Sequence, residues 1–212
     1  MASRYGACVR STTRDDVPAV RTVLARAFAD DPMMHWMFPA PRFPDAAARA
    51  EALAAFLGLH VERYLTALDR ARLVERAGEV VAAALWRWPD EDLATPGRLP
   101  TTAGLLTALV GQEHAQVVAA GMAAERAVRP KGPYVYLHYL AVDADHRGRG
   151  DARRLVDDGL ARAAADGLPA LVETTNPSNV PLYEHLGFRT VAQVPLGDGP
   201  VVWILTTDAA AP

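Results

Sequence analysis

The sequence contains a single cysteine, Cys8, among 212 residues. One cysteine can form neither an intramolecular disulfide nor a thiolate zinc cluster, so a disulfide-stabilised secreted fold is not expected. The longest unbroken apolar run, residues 80–86, is far shorter than the about 20 residues that a membrane helix needs. The first residues also lack the apolar segment of a secretory signal. We therefore expect a cytoplasmic protein without a membrane partner.

Positive charge is not in excess. The chain has 22 Lys and Arg residues against 25 Asp and Glu residues, for a formal net charge of −3. Proteins that bind mainly to phosphates usually carry surplus basic charge, so nucleic acid is not an expected partner. The histidines show no close pair at the spacing of metal ligands, and we predict no metal site.

Hydrophobic residues make up 50% of the chain, enough for a domain of ordinary size with a buried core. A first helix is predicted after Thr13, ending before Pro32. Hydrophobic periodicity predicts further helices at residues 46–68, 149–166 and 178–186, and strands at residues 71–75, 80–88, 134–142, 169–175, 188–194 and 200–207. Strands alternating with helices are typical of an α/β or α+β sheet covered by helices. No repeat or linker divides the chain, so we predict one domain, residues 1–212.

Two segments lie outside this alternation. Residues 33–39 are rich in methionine and aromatic residues and are predicted to form a loop. Residues 89–133 separate two strands, and a connection of this length is unusual without structure of its own. Its section at residues 102–128 is rich in Ala, Leu and Val, so we expect a helical cap there.

The most informative segment joins a predicted strand to a predicted helix. It reads Arg147, Gly148, Arg149, Gly150, Asp151, Ala152. Glycine allows the backbone to approach a ligand closely, and the first turn of a helix offers free N–H groups, a combination suited to a diphosphate. The two arginines add positive charge. The alternative is a tight turn with solvated arginines, but the other common phosphate-binding patterns are absent from the sequence.

A second pattern follows, with Asn176, Tyr183, Gly187 and Phe188. Together the two segments resemble the GNAT superfamily of acetyl-CoA-dependent N-acetyltransferases. The family patterns are Arg/Gln-x-x-Gly-x-Gly/Ala and, later, Asn-x-x-x-x-x-x-Tyr-x-x-x-Gly-Phe. The resemblance implies a mixed, mostly antiparallel, twisted sheet flanked by helices, with the helical insert preceding the central strand that binds CoA.

Further stretches resemble the puromycin N-acetyltransferases within that superfamily. They are residues 14–18, 27–32, 172–174 and 179–183. This likeness implies a role in antibiotic resistance and an aminonucleoside acceptor such as puromycin. One residue departs from the pattern: Asp151 stands where an apolar or small residue is usual, so a negative charge beside the diphosphate is expected to lower the affinity for CoA.

The resemblance also implies roles for individual residues. The acetyl group would pass directly from the thioester to an amine, without a covalent enzyme intermediate. Main-chain groups of Leu140, Ala141 and Val142 would pair with the pantetheine arm, and the N–H groups of residues 147–152 would hold the diphosphate. Asn176 and Asn179 are candidates for pantetheine contacts, and their alternative role is turn formation and helix capping.

Two residues are candidates for proton transfer. Tyr183 is the candidate acid for the departing sulfur, although transfer from a phenol to a thiolate is uphill by about 2 kcal/mol at ordinary pKa values. Its alternative role is that of a packed aromatic residue. Glu173 is the candidate base, and its alternative is a carboxylate at the end of a strand. His138 is a minor acid–base candidate.

Four residues are candidates for an acceptor pocket. Asp30 and Asp31 are candidates to attract a cationic amine, and their alternative is a simple turn before proline. Trp36 and Trp86 are candidates to line the pocket, and their alternative is the core.

The predicted activity is acetyl transfer to a small amine by a monomer or homodimer. The alternatives are a peptide or protein N-acetyltransferase and an acyl-CoA-binding regulator without catalysis.

Overall fold

The computed structural model describes residues 8–64, 70–89 and 99–208. Its strands are β1 (Val9–Ser11), β2 (Ala71–Arg76), β3 (Glu79–Arg87), β4 (Val135–Val142), β5 (Ala170–Thr174), β6 (Arg189–Pro195) and β7 (Val201–Thr206). Its helices are α1 (Val17–Ala27), α2 (Pro32–Met37), α3 (Ala46–Arg63), α4 (Thr102–Val110), α5 (Gln112–Val128), α6 (Asp151–Ala165) and α7 (Val180–His185). Within these described ranges, none of the helices combines the length and apolar content needed to cross a membrane.

The seven strands form one sheet in the order β1-β2-β3-β4-β5-β7-β6. Only β4 and β5 are parallel, and every other neighbouring pair is antiparallel. The predicted fold class is thereby confirmed, since the sheet is mixed, mostly antiparallel and flanked by helices. The single domain over residues 1–212 stays a prediction.

Strand β4, in the middle of the sheet, is paired along most of one edge but only along the first part of the other. On one side β4 pairs with β3 as far as Val142. On the other side it pairs with β5 over Val135, Tyr136 and Leu137 only. At the same level the β3–β4 register shifts, which leaves His138 without a counterpart on β3. Such a bulge bends a strand, and beyond it β4 has an edge without a strand partner among the described residues.

The two faces of the sheet bury different residues. One core cluster packs α1 and α3 against side chains such as Leu85 and Tyr139. Another packs α6 against Trp86 and Leu137 on the opposite face. The approach there is close, because a Cβ atom added to Gly159 of α6 would lie 2.1 Å from the Trp86 ring. Glycine is therefore required at this contact.

Two segments differ from the predicted secondary structure. Residues 33–39 are not simply a loop, because Asp31 caps α2 by accepting a hydrogen bond from the Met33 N–H (2.9 Å), and Pro32 occupies the first helical position. Proline is well tolerated there because the first N–H has no helical partner. The expected helical cap is present as two helices, α4 and α5, separated at Gly111 with φ of 86°. Of the helix predicted at residues 46–68, the end at residues 65–68 lies outside the described residues.

Helix α6 is tied to β2 by a buried carboxylate. Asp151 accepts two hydrogen bonds from Arg76 (2.8 and 2.9 Å) and one from Arg154 (2.9 Å). Burial alone would raise the pKa of Asp151, but the hydrogen bonds and charges of the two arginines hold it below its ordinary value. The charge that sequence alone places beside a diphosphate is therefore already neutralised within the protein.

We expect Asp151→Asn to lower the melting temperature by about 5 °C at neutral pH, because the charge-assisted bonds to Arg76 and Arg154 are lost. A carboxyl whose pKa is lowered by folding stabilises the protein above its ordinary pKa of about 3.9, and this stabilisation is lost as the pH falls through the folded value. The difference between the variant and the wild type should thus shrink below about pH 4. Thermal unfolding of both proteins, followed from about pH 3 to about pH 7, measures this difference in melting temperature.

Asp157→Asn is the matched control, since Asp157 lies on the same helix and its ion pair with Arg153 is exposed. Exposed pairs contribute little, so this variant should melt close to the wild type. Equal melting temperatures for all three proteins at neutral pH would contradict the anchoring role of Asp151.

Candidate active site

A continuous cleft of about 1380 Å³ lies where β4 and β5 diverge. One end is formed by the glycine-containing loop before α6, and the other by α4 and α5. Ordinary small-molecule sites have volumes of about 300–1,000 Å³, so this cleft can hold two substrates side by side.

The loop before α6 has the geometry of an anion site. Gly148 and Gly150 have φ values of 76° and 78°, which other residues rarely adopt. The first helical hydrogen bond in α6 runs from the Arg154 N–H to the Gly150 carbonyl (3.1 Å). The N–H groups of residues 151–153 therefore have no partner within the helix, and the cleft is lined by this first turn. These features fit a diphosphate.

Not all side chains of the loop before α6 are available to a ligand at the anion site. Arg147 lines the cleft. Arg149 does not, and its guanidinium donates a hydrogen bond of 3.4 Å to the Asp145 carbonyl. Asp151 lines the cleft, but its carboxylate is bound by Arg76 and Arg154. The expected repulsion between Asp151 and a diphosphate is for this reason not supported.

The predicted pantetheine residues fall into two groups. Leu140 and Val142 line the cleft, whereas Ala141 is buried among residues that pack against α1 and α3. Asn176 and Asn179 line the cleft and also organise the turn before α7. The Asn176 side chain accepts a hydrogen bond from the Ser178 N–H (3.0 Å), and that of Asn179 donates to Thr174 (3.3 Å).

Tyr183 lies within α7 and is buried in the cleft wall. Its ring lies edge-on against Phe188, with centroids 5.9 Å apart. Burial, with a further contribution from the charge of Asp31, raises the pKa of Tyr183 well above its ordinary value. The phenol therefore keeps its proton across the physiological pH range and is a hydrogen-bond donor there.

Asp31 and Asp30 occupy different environments although they are adjacent. The Asp31 carboxylate accepts hydrogen bonds from the Met33 N–H (2.9 Å) and from the Thr175 hydroxyl (3.2 Å). Burial raises the pKa of Asp31, and its charge in turn raises the pKa of Tyr139 and of Tyr183. Asp30 is fully exposed at the rim. Asp31 is thus the acidic group close to the two phenols.

Glu173 is held from two sides at the end of β5. Arg129, just beyond α5, donates two hydrogen bonds of 2.7 Å to its carboxylate, one from Nε and one from Nη2. Tyr136 on β4 donates a third, of 2.8 Å. Arg129 also donates to Glu125 of α5, at 2.6 Å from Nε and 3.2 Å from Nη2. Two carboxyl groups therefore share one guanidinium.

Glu125 is a site residue that sequence reasoning missed. It lines the cleft although its side chain is almost wholly buried. Burial, together with the neighbouring Glu173 carboxylate, raises the pKa of Glu125 to about 8. The only local signal in the sequence is a glutamate four residues before an arginine in an otherwise apolar helical stretch.

His138, the residue at the bulge, lies between two rings. It stacks on Tyr139 and Tyr136, with centroid separations of 4.2 and 5.2 Å. Its Nδ1 atom shares a hydrogen bond of 2.8 Å with the Tyr64 hydroxyl. Burial lowers the pKa of His138 well below its ordinary value, so the ring is neutral.

Neither tryptophan predicted for the acceptor pocket lines the cleft. Trp86 is fully buried on the opposite face, against α6. Trp36 packs close to Gly121 and Gly199, and its Nε1 donates a hydrogen bond to Asp198 (3.2 Å). These large rings fill gaps between elements, which is why the cleft wall does not include them. Other residues form the apolar wall: Met33, Met34, Met37, Phe56, Leu106 and Met122.

Comparison with solved structures shows the same architecture elsewhere. One similar structure, from Corynebacterium glutamicum, carries the name histone acetyltransferase HPA2 and related acetyltransferase. It is 25% identical, with a TM-score of 0.68, and the alignment covers 98% of this chain and 99% of that one. Arylalkylamine N-acetyltransferase 2 from Aedes aegypti is 12% identical, with a TM-score of 0.62 and coverage of 98% and 100%. The second likeness concerns the fold alone.

A shorter likeness is to an uncharacterized N-acetyltransferase of Schizosaccharomyces pombe. It is 36% identical over 53 residues, which are 25% of this chain and 22% of that protein. The acetyltransferase (GNAT) family model matches residues 31–188, which contain both the glycine loop and the segment from Asn176 to Phe188. The chain therefore belongs to the GNAT acetyltransferase family, whose members use acetyl-CoA.

Proposed function

We propose that this protein acetylates the primary amine of a small molecule that carries a positive charge on an apolar body. The observation that carries the proposal is the continuous cleft that extends from the glycine loop to the space beneath α4 and α5. A cleft with an anion site at one end and a mixed acidic and apolar chamber at the other suits acetyl-CoA and an amine together.

The acceptor end of the cleft supports a small substrate. Its apolar wall is rich in methionine, and flexible methionine side chains adapt to varied apolar shapes. Asp31 and the Glu125–Glu173 pair provide negative charge that a primary ammonium group would complement. Because α4 and α5 line this end, a folded protein would have less access than a small molecule.

Acetyl-CoA would be held by main-chain groups. The first turn of α6 and the loop of residues 147–150 would bind the diphosphate, and the unpaired edge of β4 beyond Leu137 would pair with the pantetheine arm. When bound, the cosubstrate supplies an acetyl group already activated as a thioester. The positively charged Arg147 would add to the attraction.

Proton movement in this proposal involves two side chains. Tyr183 donates a hydrogen bond to the sulfur as it departs, and its raised pKa makes complete proton transfer costlier than for an ordinary phenol. Glu173 accepts a proton from the amine, which is needed because a lysine-like amine costs about 4.6 kcal/mol to deprotonate at pH 7. The amine nitrogen is then free to attack the acetyl carbon.

The proposed activity is tested by release of free CoA thiol from acetyl-CoA by the purified protein. We expect saturable turnover with arylalkylamines, and none with the matched alcohols, which keep the apolar body but lack the amine. Puromycin belongs in the same panel, because an aminonucleoside acceptor and a resistance role stay predictions. Turnover only with peptides would support the protein-acetyltransferase alternative, and binding of acetyl-CoA without any turnover would support the regulator.

The charge of Asp31 should matter for the acceptor and not for acetyl-CoA. Asp31→Asn keeps the helix cap, because asparagine is an equally good capping residue, but removes the charge. We expect the KM for a cationic acceptor to rise about tenfold, or about 1.4 kcal/mol, with the KM for acetyl-CoA changed little. Steady-state kinetics will measure both KM values, with Asp15→Asn as the control because Asp15 is exposed. An unchanged acceptor KM in Asp31→Asn would refute the role of Asp31 in attracting the acceptor.

Replacement of Tyr183 tests the proton donor. Tyr183→Phe retains the ring packing and removes the hydroxyl, so we expect kcat to fall about a hundredfold while acetyl-CoA affinity stays within about threefold. Tyr134→Phe is the control, since Tyr134 does not line the cleft. Wild-type turnover in Tyr183→Phe would eliminate the phenol as donor.

A further inference from the structure

The shared guanidinium of Arg129 brings together two carboxyl groups from distant parts of the chain. Its Nε lies 2.6 Å from Glu125 Oε1 and 2.7 Å from Glu173 Oε1, so both carboxyl groups crowd the same edge of the guanidinium. Their side chains are 1% and 9% exposed, and that of Arg129 is 11% exposed. Water therefore contributes little to the stabilisation of charge in this cluster.

Charge counting gives the protonation state of the cluster. With both carboxyl groups ionised, one guanidinium faces two negative charges, and a net negative charge would be buried. Tyr136 of β4, which donates to Glu173, is a neutral phenol and adds no positive charge. Arg87 of β3 lies over that ring, 5.4 Å from its centroid, and among the described residues it forms no ion pair with either carboxyl group. Burial of an uncompensated charge is costly, so one added proton is favoured.

The position of the pair relates it to the reaction. Val172 is opposite Leu137, the last pair between β4 and β5, so Glu173 is the first β5 residue beyond the point where the strands part. Both carboxyl groups line the cleft, but the Glu173 side chain is 9% exposed and the Glu125 side chain only 1%. Glu173 is thus the carboxyl group better placed to meet a substrate, and Glu125 is placed to act on it through Glu173.

We propose that Glu125 is a positioning residue that acts through Glu173: by sharing Arg129 it makes the carboxyl pair hold one proton at neutral pH and accept the amine proton more strongly than Glu173 would alone. This inference rests on the proposed amine acetylation. Alone on Arg129, Glu173 would be a fully compensated carboxylate and a weak base. The second carboxyl group removes that compensation.

The proton count is balanced. An N–H bond of the substrate ammonium breaks and an O–H bond forms on the doubly ionised pair, which leaves a neutral amine. As the amine nitrogen bonds to the acetyl carbon, the carbon–sulfur bond breaks and its electron pair goes to sulfur. A second proton from nitrogen ends on sulfur as thiol, by way of Tyr183, and the third stays on the amide. The proton on the pair then passes to solvent.

The kinetic test uses the pH dependence of kcat/KM for one alkylamine with a pKa of about 10. For the wild type we expect a rise with a midpoint of about 8, as the doubly ionised pair forms. Glu125→Gln should lower kcat/KM about thirtyfold at pH 8 and remove the rise centred on about pH 8, because the second carboxyl group that shares Arg129 is gone. Glu125→Asp should recover part of the loss.

Glu113→Gln is the matched control, because Glu113 is exposed in the first turn of the same helix and does not line the cleft. It should follow the wild-type profile. A purely structural role for Glu125 would lower activity without moving the midpoint. The inference is overturned if Glu125→Gln keeps the wild-type midpoint.

A second readout does not depend on turnover. The infrared carbonyl band of a protonated carboxyl group, followed from about pH 6 to about pH 10, should titrate with a midpoint of about 8 in the wild type and in Glu113→Gln, and be absent in Glu125→Gln. Absence of this band in the wild type would overturn the shared proton. If it titrates as expected while no amine is acetylated, the acceptor class under the proposed function is wrong and the shared proton is supported.

Discussion

The hydrogen bonding between β4 and β5 stops after three residue pairs, and the rest of the site depends on this interruption. Backbone donors and acceptors in the interior of a sheet are normally paired, so a central strand with an unpaired edge requires another partner. Here the edge borders the cleft, and the bulge at His138 is located where pairing ends. The sheet thereby provides backbone groups for a ligand at its centre, where a continuous sheet would have none.

The interruption also determines which side chains face the cleft. On one side of it, the glycine loop leads directly from β4 into α6, so the N-terminus of that helix points towards the opening. On the other side, β5 ends with Glu173 and Thr174, and α7 follows with Tyr183 in the cleft wall. The anion site and the proton-transfer groups therefore face one another across the same gap, although they come from separate strand–helix units.

Sequence reasoning was most successful where the signal is local. The conformation of residues 147–152 depends on neighbouring glycines and on the start of a helix, so a short pattern was enough to place the loop. It was less successful where packing between distant elements decides which side chains come together. Glu125 and Glu173 meet at the guanidinium of Arg129, which follows α5, and nothing near either residue in the sequence indicates this.

The tryptophans illustrate the same limit. Trp86 lies in the strand β3, which is buried on both faces, so polar and apolar residues do not alternate and its direction cannot be read from the pattern. The loop predicted at residues 33–39 is wrong for a different reason, because a helix forms over most of this segment. A proline after an aspartate predicts the end of a helix, but the same pair can also begin one, and only the capping geometry distinguishes the two.

The bond between Asp151 and Arg76 links two positions that are 75 residues apart in the sequence. An apolar residue at position 151 would leave the Arg76 guanidinium without its principal carboxylate, and a neutral residue at position 76 would leave a buried carboxylate with Arg154 as its remaining cationic partner. Each position therefore restricts what evolution can accept at the other. Among homologues, the two should change together, so that an acidic residue in the glycine loop is inherited with a basic residue on β2.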